Sequence, residues 1–226
     1  MNEPLIRTMT GQITSRIRAK ILGGAYAPGA QLRQDAIAAE FGVSKIPVRE
    51  ALVQLKSDGL VDIVAHRRFQ VRPLSAAEVR EVFNLRLAIE PAAVATGAQL
   101  AEAHDREHAK ASLATLNASL VARDLRNSGD LNSAFHLALV VPHRQCVTAD
   151  VLYRLHTIAQ RYVRMHLEPK GRTKRAAREH IALLSAWLAG KSREARQLAR
   201  SHIGETRDEL LSSLGRANGS PRSAAS

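Results

Sequence analysis

The sequence predicts a mainly α protein in two parts: three short helices with a β-hairpin, then a larger bundle of helices alone. Three observations carry this. Apolar residues recur at helical spacing along most of the 226 residues. The stretch LVDIVAHRRFQV, residues 60–71, is strand-like, apolar at both ends with a basic turn between. At Arg72-Pro73-Leu74 short elements give way to long ones, which places a domain boundary near residue 73.

Ile13, Ile17 and Ile21 mark the first helix, which Gly23-Gly24 closes. AYAPGAQL is a turn centred on Pro28-Gly29. A short helix spans about Arg33–Phe41, and Gly42 supplies a left-handed stop. Ser44 is the expected N-cap of the next helix, which runs to about Ser57 and tolerates Pro47 in its first turn. Two short strands follow, with His66, Arg67 and Arg68 at the turn between them. Ser75-Ala-Ala-Glu78 is a capping box opening a long helix. Six helical stretches are expected, near 75–102, 105–126, 129–143, 148–168, 173–189 and 192–214. The domains are therefore 1–73 and 74–214, with 215–226 a disordered tail lacking apolar periodicity.

Thirty-three Lys and Arg against 21 Asp and Glu leave a net charge of +12, which favours nucleic acid and, after it, an anionic membrane as partner. Cys146 is the only cysteine, so no internal disulfide forms, as suits a reducing cytoplasm. MNEPLIRTMTGQ lacks the apolar core of a signal peptide, and no apolar run approaches membrane-spanning length. A cytoplasmic protein is expected.

Two short helices joined by a Gly-containing turn form a helix-turn-helix, whose second helix enters the DNA major groove. Here that helix begins at Ser44, and Lys45 and Arg49 share one face. Ala51, Leu52 and Leu55 lie on another side and pack inward. The Ser44 hydroxyl and the backbone N–H groups at the helix start suit a phosphate. The hairpin is then a wing, with His66, Arg67 and Arg68 at its tip. A solvated amphipathic helix is the alternative.

In the second part, Arg86 and Glu90 fall within an apolar stripe of the helix from Ser75. Either they pair with each other at i, i+4, or Arg86 lines a ligand pocket. Arg161 poses the same choice beside Ile158 and Met165, with Arg164 nearby. His136, His180 and His202 each sit on the apolar side of a separate helix, as core residues or as a metal site. His104 and His108 lie in a charged segment and His143 and Cys146 form an isolated pair, so none of them is assigned.

ILGGAYAPGAQL, FGVSKIPVREALVQLKSDGLV and HRRFQV together resemble the winged helix-turn-helix of the GntR family of bacterial transcription regulators, over about residues 12–73. The resemblance implies that Ser44, Lys45 and Arg49 meet DNA, with His66 and Arg67 in the wing. The sequence departs from the family pattern at Arg68, where Gly is frequent. It departs again at Asp35, where a basic residue sometimes stands and an acid could repel phosphate. LRLAIEPAA, LNSAFHLAL and REHIALLSAWLAGKSREARQLARSHI resemble the helical effector domain of the FadR branch, in its shorter VanR-type version of six helices. Many such domains bind a divalent metal through an Asp or Asn, a His four residues later and two further histidines. By position these are Asn132, His136, His180 and His202, with Asn132 standing where Asp is frequent.

Three imidazoles and one oxygen suit zinc, nickel or manganese. A cation held by neutral imidazoles keeps its charge and favours an anionic ligand, and Arg86, Arg161 or Arg164 would match a carboxylate. The expected protein is a homodimeric, ligand-responsive repressor on palindromic double-stranded operator DNA, released by a small organic acid. A metal-dependent hydrolase with a basic domain is the alternative, weakened by the absence of an H-E-x-x-H motif. An RNA-binding protein would need stacking platforms that 4% aromatic content does not readily supply.

Overall fold

Ile13, Ile17 and Ile21, one turn apart, are buried together with Leu52 and Leu55 and nucleate the first of two cores. The protein is described by a computed structural model over residues 8–64, 68–125, 127–140, 142, 146–167 and 171–219. It divides into two units, Met1–Pro73 and Leu74–Ser226.

In the first unit, α1 (Met9–Leu22) is capped by Thr8, whose hydroxyl accepts from Gly11 N. α2 (Gln34–Phe41) and α3 (Lys45–Ser57) are joined by a turn in which Gly42 takes φ +66°. A Cβ there would strain the left-handed backbone that satisfies the last carbonyls of α2. Ser44 has the extended backbone of an N-cap, but its hydroxyl makes no capping hydrogen bond. Pro47 sits in the first turn, where its missing N–H leaves no helical acceptor unused.

The strands are β1 (Gln31–Leu32), β2 (Val61–Val64) and β3 (Arg68–Val71), antiparallel in the order β1-β3-β2. β1 is a third strand that the sequence reading treated as turn, because two residues are too few to display alternation. Phe69 at the centre pairs with Leu32 on one side and Ile63 on the other. The wing tip at His66 and Arg67 lies outside the described residues.

The second unit is built, among the described residues, from six helices: α4 (Ala76–Leu100), α5 (Ala103–Ala122), α6 (Ser128–Val140), α7 (Cys146–Leu167), α8 (Arg172–Leu188) and α9 (Ser192–Gly219). α4 packs along both α9 and α7, around a core containing Phe83, Phe135, Tyr162 and Trp187. α9 continues to Gly219, so 215–219 is helical where a disordered tail was expected. Leu214 still packs on the core, and no proline stands between Ser192 and Gly219.

The capping box at Ser75 forms only in half. Its hydroxyl accepts from Glu78 N at 3.4 Å, but Ser75 N donates to Tyr162 Oη at 3.1 Å. The Glu78 carboxylate turns instead to Arg161 and Tyr162 of α7.

One glycine sets how closely α4 and α6 approach. A Cβ on Gly97 would lie 2.1 Å from Leu139 O, the carbonyl that accepts from Trp187 Nε1 at 3.0 Å. Gly97→Ala is expected to destabilise the protein by about 1–3 kcal/mol, as overpacking against immobile backbone does. Gly204→Ala, on α9 with open space around it, should cause no loss. Thermal unfolding of the two variants checks this, and equal melting temperatures would refute the close-approach account.

Candidate functional site

Two groups of residues carry chemistry, one in each unit. In the first, the exposed N-terminal turn of α3 presents Ser44, Lys45, Ile46 and Arg49, while Val48, Ala51, Leu52 and Leu55 are buried beneath it. The inward face holds the helix against α1, and Glu50 accepts from Thr10 of α1 at 2.8 Å. Lys45 pairs with Asp35 at the start of α2, both side chains about two-thirds exposed. Exposed pairs of this kind hold weakly. In this pair the Asp35 carboxylate is countered by the Lys45 ammonium. Ile46 on the same turn is 71% exposed, a large apolar side chain left on the surface beside Lys45 and Arg49.

In the second unit, helices α6, α8 and α9 bring His136, His180 and His202 together. One ring nitrogen from each lies within 4.8 Å of the others, and all three residues are buried. His180 Nε2 is 3.2 Å from His202 Nε2. Asn132, one turn before His136, lines a cavity of about 20 Å³ with Arg86, His166, His180 and His202. That volume holds an ion or one water. Nε2 of His136 and Nδ1 of His180 are buried without hydrogen-bond partners. An ordinary core seldom leaves such atoms unsatisfied, and converging imidazole nitrogens beside an ion-sized space fit a divalent cation.

Electrostatics agree with that chemistry. Burial pushes His136 down to about 3 and His180 well below the usual imidazole range. Both rings are therefore neutral near pH 7, the form that coordinates metal. Burial alone would raise the Glu90 carboxyl, but Arg86 and then His156 and His136 hold it well below the usual carboxylate range. Glu179 is likewise drawn down to about 2, because hydrogen bonds from His202 and Arg175 outweigh its burial.

The arginines are differently placed. Arg86 makes the intrahelical pair, donating from Nε to Glu90 Oε2 at 2.8 Å and from Nη2 to Oε1 at 3.1 Å, and it also lines the cavity. Arg161 pairs with Glu78, lies over the Tyr162 ring at 5.3 Å and is not among the residues lining this cavity. The side chain of Arg164 lies outside the described residues. His104 is 73% exposed beside Asp105, as a solvated helix start should be. His143 and the Cys146 side chain are outside the described residues.

Sequence reasoning missed His156 on α7, which is buried with Nε2 3.2 Å from Glu90 Oε2. It also missed the structural weight of Glu90, which is fully buried and also lies 2.8 Å from His136 Nδ1. The signal for His156 was present, since it stands four residues after Leu152 and three before Ala159 on the apolar face of its helix.

Two short helices joined by a glycine turn beside a small sheet, followed by a separate helical unit enclosing a histidine cluster, define a two-unit protein of the winged helix-turn-helix class. The sequence profile of the "Bacterial regulatory proteins, gntR family" matches residues 9–71, and that of the "FCD domain" matches residues 81–205. The chain belongs to the GntR family of regulators and carries an FCD domain. It is 28% identical over 205 residues to the uncharacterized HTH-type transcriptional regulator BphR of Paraburkholderia xenovorans, covering 88% of this chain and 83% of that protein. It is 27% identical over 176 residues to the HTH-type transcriptional repressor RspR of Escherichia coli, covering 77% of each. The solved structure of E. coli McbR/YncC has the same fold, with a TM-score of 0.78 and 20% identity over 92% of this chain and 99% of that one. The protein is thus a DNA-binding transcription regulator, and the hydrolase alternative falls away. Among the described residues, no helix is long and apolar enough to cross a membrane.

Proposed function

We propose that the protein is a cytoplasmic, homodimeric repressor of the FadR branch, VanR type, whose helical domain binds a divalent metal and a small organic acid. Residues 1–73 bind palindromic operator DNA through Ser44, Lys45 and Arg49, with His66 and Arg67 of the wing reaching the backbone or the minor groove. Residues 74–214 form the ligand-binding and dimerisation domain. The observation that carries this reading is the convergence of His136, His180 and His202, the last two of which line a cavity together with Asn132 and Arg86. Zinc, nickel or manganese would sit on the three imidazoles, with Asn132 supplying an oxygen. The likeness to a named repressor supports the direction of control.

A bound cation would supply positive charge and open coordination positions for a carboxylate. Arg86 faces the same space, and Arg161 and Arg164 are the further cations proposed for the effector. A space of about 20 Å³ is too small for an organic acid, so binding requires the helices around it to part. An acid that binds only the parted form shifts the population towards it, which is the differential affinity that control of DNA binding requires.

The test is titration of a carboxylate panel against operator-bound protein, repeated with Arg86→Ala and His180→Ala. The expected result is release of DNA by one class of hydroxy or sugar acid, lost in both variants. An acid that acts equally well on both variants binds elsewhere and overturns this site.

A further inference from the structure

Two buried groups of possible metal ligands share His136. One is His136, His180 and His202; the other is Glu90, His136 and His156. The surroundings of Glu90 separate them. Its Oε1 meets Arg86 Nη2 at 3.1 Å and His136 Nδ1 at 2.8 Å, while its Oε2 meets Arg86 Nε at 2.8 Å and His156 Nε2 at 3.2 Å. A carboxylate offers about four lone-pair positions, and four nitrogens already surround this one. A cation at Glu90 would also face the Arg86 guanidinium. The Glu90 group is therefore not a second metal site.

The same contact fixes the proton on His136. The Nδ1 contact falls outside hydrogen-bond alignment, but a carboxylate oxygen 2.8 Å away favours the tautomer that turns the positive N–H edge of the ring, rather than a bare nitrogen, towards it, which places the hydrogen on Nδ1. Nε2 is then left as a bare acceptor. His202 has the corresponding arrangement, with Nδ1 2.8 Å from Glu179 Oε2 and Nε2 facing His180. His180 differs: its Nδ1 has no hydrogen-bond partner, and its Nε2 is the group that can donate to the bare Nε2 of His202.

We propose that Glu90 and Glu179 are positioning residues that hold His136 and His202 in the Nδ1–H tautomer, so that two Nε2 lone pairs stand ready for a cation. His180 alone must move its proton from Nε2 to Nδ1 when the cation arrives. Carboxylates behind ligating histidines set ring orientation and raise ligand basicity, and their loss weakens metal binding about 10–100-fold. This assignment rests on the metal reading given above for its purpose, but the tautomers themselves do not.

The experiment has two arms. Imidazole nitrogen NMR of the metal-free wild-type protein at neutral pH should show His136 and His202 protonated on Nδ1, and His180 on Nε2. A proton on Nε2 of either His136 or His202 overturns the proposal, whether or not zinc binds. In the second arm, zinc titration of Glu90→Gln and Glu179→Gln should give dissociation constants raised about 10–100-fold. Glu205→Gln, whose carboxylate meets Arg175 and Ser201 but no histidine, should match wild type. Because Glu90→Gln leaves Arg86 buried and unpaired, Arg86→Met/Glu90→Gln provides the folded comparison. Wild-type zinc affinity in that double variant and in Glu179→Gln would overturn the positioning role. Failure of the wild-type protein to bind zinc refutes the metal reading and leaves the tautomer result to decide the assignment.

Discussion

Replacing His136, His180 or His202 with alanine is expected to abolish the rise in melting temperature that zinc, nickel or manganese gives the wild-type protein. A ligand at 100 times its dissociation constant stabilises the folded state by about 2.7 kcal/mol. For a chain of this size that is roughly 5–10 °C. Removing one of three imidazoles leaves too few donors for a closed site, so the increment should vanish rather than shrink. The alanine variants will also start from a lower baseline, because each empties part of a packed core. The readout is therefore the difference between metal-loaded and metal-free protein for each variant. His104→Ala, on an exposed helix start, should keep the full increment. A trio of alanine variants with wild-type increments would show the cluster to be ordinary core.

Arg49→Ala is expected to weaken operator binding by about 1–3 kcal/mol and to relax preference at one base position. Arg49 is exposed on α3 directly above the buried Val48 and Leu52, so the substitution should leave the fold intact. Lys45→Ala should behave differently. Lys45 is paired with Asp35 in the free protein, and a phosphate contact would have to replace that pair. Its loss should weaken all sequences similarly and lower the salt slope by about one. Binding isotherms on operator and scrambled duplexes over a salt series separate the two behaviours. Unchanged operator affinity in both variants would remove α3 from the DNA interface.

Helix spacing made much of this legible. The inward positions Ile13, Ile17 and Ile21, the left-handed Gly42 and the start of α3 follow from local periodicity and backbone sterics, and the structure has them as expected. β1 was invisible because its pairing with β3 depends on residues some 40 positions away. The cap at Ser75 was half legible: the hydroxyl follows local geometry, whereas the fate of Glu78 depends on Tyr162 and Arg161 across the bundle.

By itself the sequence determined a small basic recognition unit, a helical bundle and the three histidines on the apolar sides of separate helices. Periodicity is a local property, and it says which way a residue faces. Only the tertiary structure decided what each buried polar group meets. Glu90 gathers Arg86 from its own helix, His136 from 46 residues on and His156 from 66 residues on. Those meetings depend on helix separations, and the separations depend on contacts such as Gly97 against Leu139 O. A buried charge takes whichever partner packing brings within about 3 Å. Spacing along one helix cannot say which of several candidates that will be.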